Sequence, residues 1–311
     1  MNKHAKLAAF PYLLWMAVFI IVPLALIVVF AFTTTVTVDA DGNILTAEEI
    51  TEVQDAFYEE YGEDADIAEL GLSEKTVFTL QNILDVSKYM NTLLNSIWLA
   101  LIATVICLVL AYPVAYFISR LHFTKQKMML MLAMLPMWMN FLLRTYAWMT
   151  ILERNGLLNR LFALVGLGPF EMINTQGAVV LGMVYNYLPF MILPLYSVMT
   201  KIDSRTIEAA QDLGANRLTV IGRVVLPLSV PGISSGITMV FVPAVSTFII
   251  SRMLGGGTNM LIGDLIDLQF LGNAYNPNLG AAMSLVLMVF ILLCMSITNS
   301  IDNEETEVSM L

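Results

Sequence analysis

Charge is scarce in this chain of 311 residues, of which 13% are Asp, Glu, Lys or Arg while 58% are apolar. A soluble domain carries roughly 25% charged and about 45–50% apolar residues, and its surface must be largely polar to remain in water. The shortage of charge therefore argues against a soluble enzyme, a nucleic-acid-binding protein and a disordered protein. It predicts a protein of the lipid bilayer.

Cysteine and histidine are also rare, with two of each in the whole chain. Cys107 and Cys294 lie in apolar runs, which argues against a disulfide framework and favours small buried side chains. His4 and His122 are far apart, and no group of Cys, His and carboxylate residues has the spacing of metal ligands. No phosphate-binding loop, dinucleotide fingerprint or nucleophile elbow is present. We expect no catalytic residue, no metal site and no cofactor bound by this chain.

Six stretches are apolar enough to cross a bilayer as helices, which takes about 20 residues each. They are 10–32, 92–118, 128–151, 177–199, 227–250 and 279–301. The prolines inside them are Pro23, Pro113, Pro136, Pro189, Pro194 and Pro243. Each proline removes a backbone donor and bends or breaks its helix, which lipid tolerates only beside protein or a water-lined cavity. The pattern predicts an all-α, polytopic protein, and it favours a transporter or channel over a plain anchor.

The loops between these spans give the orientation. Those on one side carry nine Lys and Arg residues, and those on the other side carry five. The positive-inside rule then predicts that residues 1–9, the loop 201–226 and the tail 302–311 are cytoplasmic, so that both termini are inside. The apolar stretch at 10–32 is longer than the core of a signal peptide, about 7–15 residues, and we expect a retained first helix.

The loop 33–90 then lies outside the membrane, and it holds most of the acidity. The net charge is −10, and 14 of the 25 acidic residues fall between Asp39 and Asp85. Residues 46–49 fit a capping box, and the apolar spacing over 50–61 predicts a short amphipathic helix. The acidity suits a role in gathering cations near an entrance, and a solvated cap on the bundle is an equally good interpretation.

The loop between the fourth and fifth spans predicts two short helices on the cytoplasmic surface. Asp203 or the residue after it can cap the first helix, and Ile207, Ala210 and Leu213 share one of its faces. Gly214 is where that helix can end through a left-handed residue. A second short helix then leads into the fifth span.

The same loop carries a long motif: Glu208-Ala209-Ala210, three residues, Gly214, nine residues, then Val224-x-Leu226-Pro227. It resembles the signature loop of the permease subunits of binding-protein-dependent ABC importers, with Val224 in place of isoleucine. The resemblance implies the ABC importer permease fold with six transmembrane helices in a bacterial plasma membrane, residues 91–301 forming the core of five helices. It also implies a coupling helix that docks on a cytoplasmic ATPase. The residues carried over to that role are Glu208, Ala209, Ala210, Gly214, Leu226 and Pro227.

Further segments resemble the permeases of spermidine/putrescine importers within this family. They are 78–82, 100–104, 111–116, 188–191, 255–263 and 269–271. The resemblance implies a subunit that forms half of a path for polyamines by alternating access and is not itself a hydrolase. The implied partners are a second permease, two ATPase subunits that use ATP and magnesium, and an extracytoplasmic substrate-binding protein.

Two alternatives remain open at this point. One is the same machine with another cargo, such as ferric iron, sulfate or a phosphonate. The other is an ion-coupled secondary transporter, which would be expected to hold an Asp, Glu or His inside the membrane. The six predicted spans contain none of these residues, which favours the importer.

A path for ammonium groups should offer carboxylates, carbonyls or aromatic faces. The candidate acids lie at the predicted outer ends of spans: Glu153, Asp264 and Asp267. The candidate lining residues are Trp138, Asn140, Tyr146, Trp148, Tyr185, Asn186 and Tyr187. We expect the acids to receive the cation and the others to line its passage, although packing or an interfacial belt explains each aromatic residue taken singly. Arg144 is the single charge inside a span, and we interpret it as a structural anchor or a gate.

Overall fold

The computed structural model describes residues 14–38, 44–45, 49, 73–272 and 275–308. The helices in chain order are α1 (Val22–Ala31), α2 (Gln81–Val86), α3 (Met90–Ser119), α4 (Phe123–Trp138), α5 (Phe141–Leu152), α6 (Leu157–Leu164), α7 (Gln176–Met199), α8 (Ser204–Asp212), α9 (Arg217–Val220), α10 (Leu226–Leu228), α11 (Val230–Val245), α12 (Ile249–Leu254), α13 (Ile262–Leu271) and α14 (Pro277–Val308). Wider π-helical segments, Ala17–Ile21 and Ile221–Val225, precede α1 and α10, and a 3-10 turn, Ser87–Tyr89, joins α2 to α3. The helix predicted near 46–61 lies outside the described residues.

Among the described residues, four helical stretches are long and apolar enough to cross a membrane unbroken. They are Leu14–Ala31, Gln81–Ser119, Gln176–Met199 and Pro277–Thr298. Two further pairs of helical stretches are bent, and the total is as many as six if each pair is one span. The angle is 87° between α4 and the stretch Phe141–Leu164, and 69° between the stretch Arg217–Leu228 and α11. The prediction of a mostly helical, multi-pass membrane protein is confirmed. The third and fifth predicted spans are each broken, whereas the apolar pattern predicts them as continuous.

The break after α4 has a local cause. Pro136 lies in the last turn of α4, and the backbone at Met139 is extended. The side chain of Asn140 then accepts hydrogen bonds from the backbone N–H groups of Leu142 and Leu143, at 2.9 and 3.3 Å, and caps α5. A new helix thus starts where the old one ends, and its first N–H groups are satisfied inside an apolar environment.

Two compact units divide the chain, one of residues 1–88 and 268–286 and the other of residues 89–267 and 287–311. The first unit contains an antiparallel pair of strands, β1 (Thr33–Val38) and β2 (Ser73–Phe78). Threonine and valine dominate β1 and suit a pleated strand. The rings of Phe32 and Phe78 stack with their centroids 6.0 Å apart, and the Asn82 amide donates to carbonyls at the end of α1 and the start of β1, at 3.3 and 2.8 Å. The apolar and acidic pattern over 33–90 predicts a loop with a short helix at 50–61, and it predicts neither this sheet nor α2.

The second unit is built around α3, α7 and α11. Small, fully buried side chains follow one face of α3 at helical spacing, namely Ala100, Ala103, Cys107, Ala111 and Ala115. The Cys107 thiol reaches a backbone carbonyl of α7 at 3.7 Å. The prediction that Cys107 is a small buried side chain is confirmed, and Cys294 is half-buried with a free thiol.

The contact between α7 and α11 depends on two glycines one turn apart. A β-carbon at Gly232 would lie 3.1 Å from the backbone oxygen of Pro194 and from Cβ of Val198. A β-carbon at Gly236 would lie 2.6 Å from the sulfur of Met191. This spacing of small residues allows two membrane helices to approach closely, so the sequence Gly-x-x-x-Gly fixes α11 against α7.

Candidate functional site

The loop 201–226, called the coupling loop below, has well-defined helix ends. The carboxylate of Asp203 accepts a hydrogen bond from the N–H of Arg205 at 3.0 Å and caps α8, as predicted. At the other end Gly214 has φ +88°, its N–H donates to the oxygen of Gln211 at 2.8 Å, and the N–H of the next residue donates to Ala210 at 3.0 Å. This pair of bonds closes a helix through a left-handed residue, a conformation that costs any residue with a β-carbon about 1–2 kcal/mol.

The coupling loop also has a small apolar core of its own. Its buried members are Ile202, Ile207, Val220 and Val225, and Tyr116, Ala210, Ala215 and Val224 pack against them. Asn216 caps α9 by accepting hydrogen bonds from both the N–H and the hydroxyl of Thr219, each at 2.8 Å. Arg120 donates to backbone oxygens at the end of α7 and at the start of the loop, at 3.4 and 3.2 Å respectively. The loop is therefore a folded element rather than a flexible connection.

The outer surface of this element carries most of the motif. Glu208 and Ala209 are exposed, Ala210 is half-buried, and Leu226 and Pro227 are exposed. Two leucines project fully, with Leu213 90% exposed and Leu218 80% exposed. Leu213, which is predicted on the same face as Ile207 and Ala210, does not join them in the apolar core, because α8 ends at Asp212 and Leu213 is its C-cap residue.

A second cluster forms around Arg144, whose side chain is 7% exposed. Its guanidinium donates to the backbone oxygen of Pro136 at 2.8 Å, next to the break between α4 and α5. The guanidinium carbon lies 5.8 Å from the ring centre of Phe141 and 5.9 Å from that of Tyr185, and Trp148 meets Tyr185 edge-on at 5.2 Å. Arg144 therefore connects the bend between α4 and α5 to the surrounding aromatic residues, which favours its interpretation as a structural anchor.

A cavity of about 210 Å³ adjoins this cluster. Its lining residues are Met137, Phe141, Arg144, Asn186, Tyr187 and Phe190. The Asn186 amide donates to a backbone oxygen of its own helix at 2.8 Å, and the Tyr187 hydroxyl donates to the oxygen of Pro243 at 3.3 Å. Within the described part of the chain, Nε of Arg144 and Oδ1 of Asn186 are buried and have no hydrogen-bond partner. The cavity thus has aromatic walls, with one guanidinium group and one amide group among its lining residues.

The remaining predicted path residues are placed differently. Trp138 and Tyr146 are exposed, and neither lines the cavity. Asn140 is exposed and its side-chain oxygen is used by the cap of α5. Glu153 is exposed at the end of α5. The structure therefore brings together Asn186, Tyr187 and, through Arg144, Tyr185 with Trp148. It leaves Trp138, Asn140, Tyr146 and Glu153 exposed.

The two acids after the fifth span are not isolated carboxylates. Asp267 lies 2.6 Å from the guanidinium of Arg252, and Asp264 lies 3.8 Å from Nε of the same residue. Asp264 is 2% exposed and accepts a hydrogen bond from the N–H of Leu261 at 2.9 Å. Burial raises the pKa of the Asp264 carboxyl, against the opposing effects of that bond, of Ser251 and of Arg252. The pairing of Arg252 with these acids is not predicted above, although the glycine-rich turn at 255–257 already indicates that the chain folds back there.

Three comparisons with known proteins show what this chain is similar to. No protein-family model matches the chain. The chain is 42% identical over 220 residues to the spermidine/putrescine transport system permease protein PotB of Escherichia coli (strain K12), a match that covers 69% of this chain and 79% of that protein. Two solved structures of a bacterial alginate ABC transporter share the fold. One covers 97% of this chain and 95% of its own with a TM-score of 0.68 at 14% identity, and the other, with a bound periplasmic protein, covers 96% and 94% with a TM-score of 0.67 at 15% identity.

Proposed function

Because the chain belongs to the family of ABC importer permeases that includes the spermidine/putrescine transport system permease protein, we propose that it is a permease subunit of an ATP-driven importer for polyamines. The observation that carries the proposal is the coupling loop, a folded element that presents the family motif and two exposed leucines to a partner. This chain contributes half of the path and no catalytic residue. A second permease contributes the other half, and two ATPase subunits hydrolyse ATP with magnesium.

The proposed orientation follows the distribution of basic residues. Both termini and the coupling loop lie in the cytoplasm of a bacterium, and the loops on the other side receive a substrate-binding protein. Closure of the ATPase subunits on ATP then pushes the coupling loop, and the path changes from inward-facing to outward-facing. This is a population shift between two states that differ in their affinity for ATP and for the binding protein. The broken helices at α4–α5 and before α11 supply the bends around which such a change takes place.

The proposed route of the cation uses the two clusters described above. Asp264 and Asp267 receive an ammonium group at the mouth, where Arg252 competes for both carboxylates. The Arg252 side chain is 47% exposed, so a substrate with several ammonium groups can reach these carboxylates and compete with the guanidinium. Farther along, aromatic faces and the free oxygen of Asn186 replace water around the cation, since cation–π contacts suit an alkylammonium chain. Glu153, Trp138, Asn140 and Tyr146 remain proposed contributions from exposed positions.

The decisive experiment is to reconstitute the assembly and measure ATP hydrolysis. We expect stimulation by binding protein loaded with spermidine or putrescine and not by empty binding protein. Glu208→Lys reverses the charge of the exposed motif residue and should abolish both the stimulation and uptake. Lys125→Glu reverses an exposed charge in the first turn of α4, on the predicted cytoplasmic side but outside the coupling loop, and should leave coupling intact. Full transport by the Glu208→Lys assembly would contradict the coupling role.

A separate measurement addresses the mouth. Asp264→Asn with Asp267→Asn removes both carboxylates, and we expect a higher half-saturating polyamine concentration in uptake assays at an unchanged amount of assembled importer. Unchanged uptake and affinity would reject this role without affecting the coupling loop.

Another cargo on the same machine is the second candidate function. The observation in its favour is the fold shared with importers of an acidic polysaccharide, which shows that the fold alone does not select a cation. Ferric iron, sulfate and phosphonates should therefore be tested as competitors of labelled spermidine. Competition by one of them at a comparable concentration would replace the polyamine proposal.

A further inference from the structure

Helix α6, the end of the stretch Phe141–Leu164 that forms a bent pair with α4, carries an exposed apolar stripe. Leu157, Leu161 and Leu164 are exposed and recur at the spacing of one helix face. The opposite face packs inward, where the rings of Phe162 and Phe170 meet edge-on at 5.5 Å. An amphipathic helix whose apolar face remains exposed, with arginine beside it, is typical of a helix that lies against a lipid surface.

A recess of about 550 Å³ lies beside this stripe. Arg154 and Arg160 both line it, together with Asn155 and the glycines at 166 and 168. Nε of Arg160 donates to the backbone oxygen of Asn155 at 3.1 Å, which leaves its terminal amino groups for a ligand. Among the residues that the structure describes, neither arginine forms an ion pair. The recess therefore carries two positive charges and a set of unused donors.

The same segment contains two glutamates, and neither lines the recess. Glu153 is exposed at the end of α5, and Glu171 lines a separate depression. The segment 153–171 is electrically neutral as a whole, but the charged residues that line the recess are the two arginines.

The recess is held in shape by hydrogen bonds within the chain. Asn159 is buried, and its amide donates to the backbone oxygens of Glu153 at 3.1 Å and of Phe170 at 2.9 Å. Its side-chain oxygen accepts from the N–H of Phe170 at 2.8 Å. One side chain thus fixes the loop 165–170 to the start of α6. A fixed recess loses little conformational entropy on binding.

We propose that this recess binds the phosphate of an anionic phospholipid while the leucine stripe lies among its acyl chains. Arginine is suited to phosphate because its planar fork donates two parallel hydrogen bonds. A lipid is favoured over a protein partner because α6 follows α5 after residues 153–156 alone, so the recess lies within roughly 18 Å of the end of a membrane helix. The proposal depends on the chain residing in a bilayer and not on the identity of the cargo.

The test uses the full chain in nanodiscs of phosphatidylcholine, titrated with phosphatidylglycerol. Each arginine near an anionic surface contributes about 1 kcal/mol, so Arg154→Gln with Arg160→Gln should weaken phosphatidylglycerol binding roughly 30-fold, since 1.4 kcal/mol is a factor of ten. Lys75→Gln removes an exposed charge on β2 and should leave binding unchanged. Equal binding by the double variant and the parent chain would overturn the proposal.

Two further arms separate the lipid from other ligands. Leu161→Ser should also weaken phosphatidylglycerol binding, because the acyl chains lose an apolar contact, whereas binding of inorganic phosphate alone would be unaffected by it. If inorganic phosphate competes as well as the lipid does, the site binds a free anion and the lipid assignment fails. If the arginine variant loses the substrate-binding protein and keeps phosphatidylglycerol, the recess is a protein contact and the proposal is wrong.

Discussion

The two exposed leucines of the coupling loop allow the clearest test of the proposed assembly. Leu213 and Leu218 are 90% and 80% exposed, and no folding energy of this chain depends on burying them. We expect Leu213→Ala with Leu218→Ala to weaken the binding of the ATPase subunit while the isolated chain unfolds at the same temperature, since surface substitutions usually change stability by less than about 0.5 kcal/mol.

The magnitude follows from the area that docking would bury. Full burial of a leucine side chain is worth about 1.5–3 kcal/mol, and truncation to alanine removes most of it. Taking about 1.5 kcal/mol for each residue, the double variant loses about 3 kcal/mol, which corresponds to roughly a hundredfold weaker association. Single variants should each lose about tenfold.

The measurement is an equilibrium titration of labelled ATPase subunit against the permease in nanodiscs. Leu271→Ala serves as a matched control, because Leu271 is 83% exposed on α13 and on the predicted outer side. Parent and control should bind alike. An unchanged dissociation constant in the double variant would refute the inference that these leucines form the contact, and a lowered unfolding temperature would show that they stabilise the chain itself.

Three further outcomes can be checked by thermal unfolding in detergent. Gly214→Ala should lower stability by about 1 kcal/mol, because φ is +88° there, while Gly222→Ala should be tolerated, because its β-carbon would meet no atom within 4 Å. Gly232→Ala should lower the unfolding temperature more than Gly222→Ala, because the new carbon would lie 3.1 Å from backbone and side-chain atoms of α7. Asp264→Asn should leave stability at pH 7 unchanged or raise it, because burial raises the pKa of this carboxyl and its ionised form opposes folding. The parent chain should gain stability as the pH falls toward the pKa that Asp264 has in the unfolded state, and the Asp264→Asn variant should not. Asp267→Asn provides the comparison with a carboxylate in a close ion pair.

The helices are the part of this fold that the sequence predicts best. A run of apolar residues long enough to cross a bilayer has few alternatives, and α7 at Gln176–Met199 agrees with the predicted 177–199 within one residue at its start. The ends of α8 are equally well predicted, because Asp203 and Gly214 act through local hydrogen bonds and a local backbone angle. Such helix ends can be predicted because the residues that form them are neighbours in the chain.

What the sequence does not show is how separate segments meet. Asn140 is a polar residue of the kind that could line a path, yet its side-chain oxygen caps α5. The cap depends on α4 ending at Trp138, which the continuous apolar pattern does not predict. Arg252 pairs with acids 12 and 15 positions away through a turn, and no periodicity reveals this. The strands β1 and β2 lie 34 residues apart in sequence, so neither predicts the other. The grouping of Arg144 with Asn186 likewise depends on packing between helices.

The glycine contact between α7 and α11 has a mechanical consequence. The coupling loop leaves α7 at Met199 and returns through Ser229 to α11, so both of its ends attach to helices held together at Gly232 and Gly236. A movement of α8 is then transmitted to α7 and α11 together, because these two helices cannot slide past each other without a steric clash. Paired labels on α7 and α11 should keep one distance throughout the transport cycle, while the distance from either helix to α5 changes.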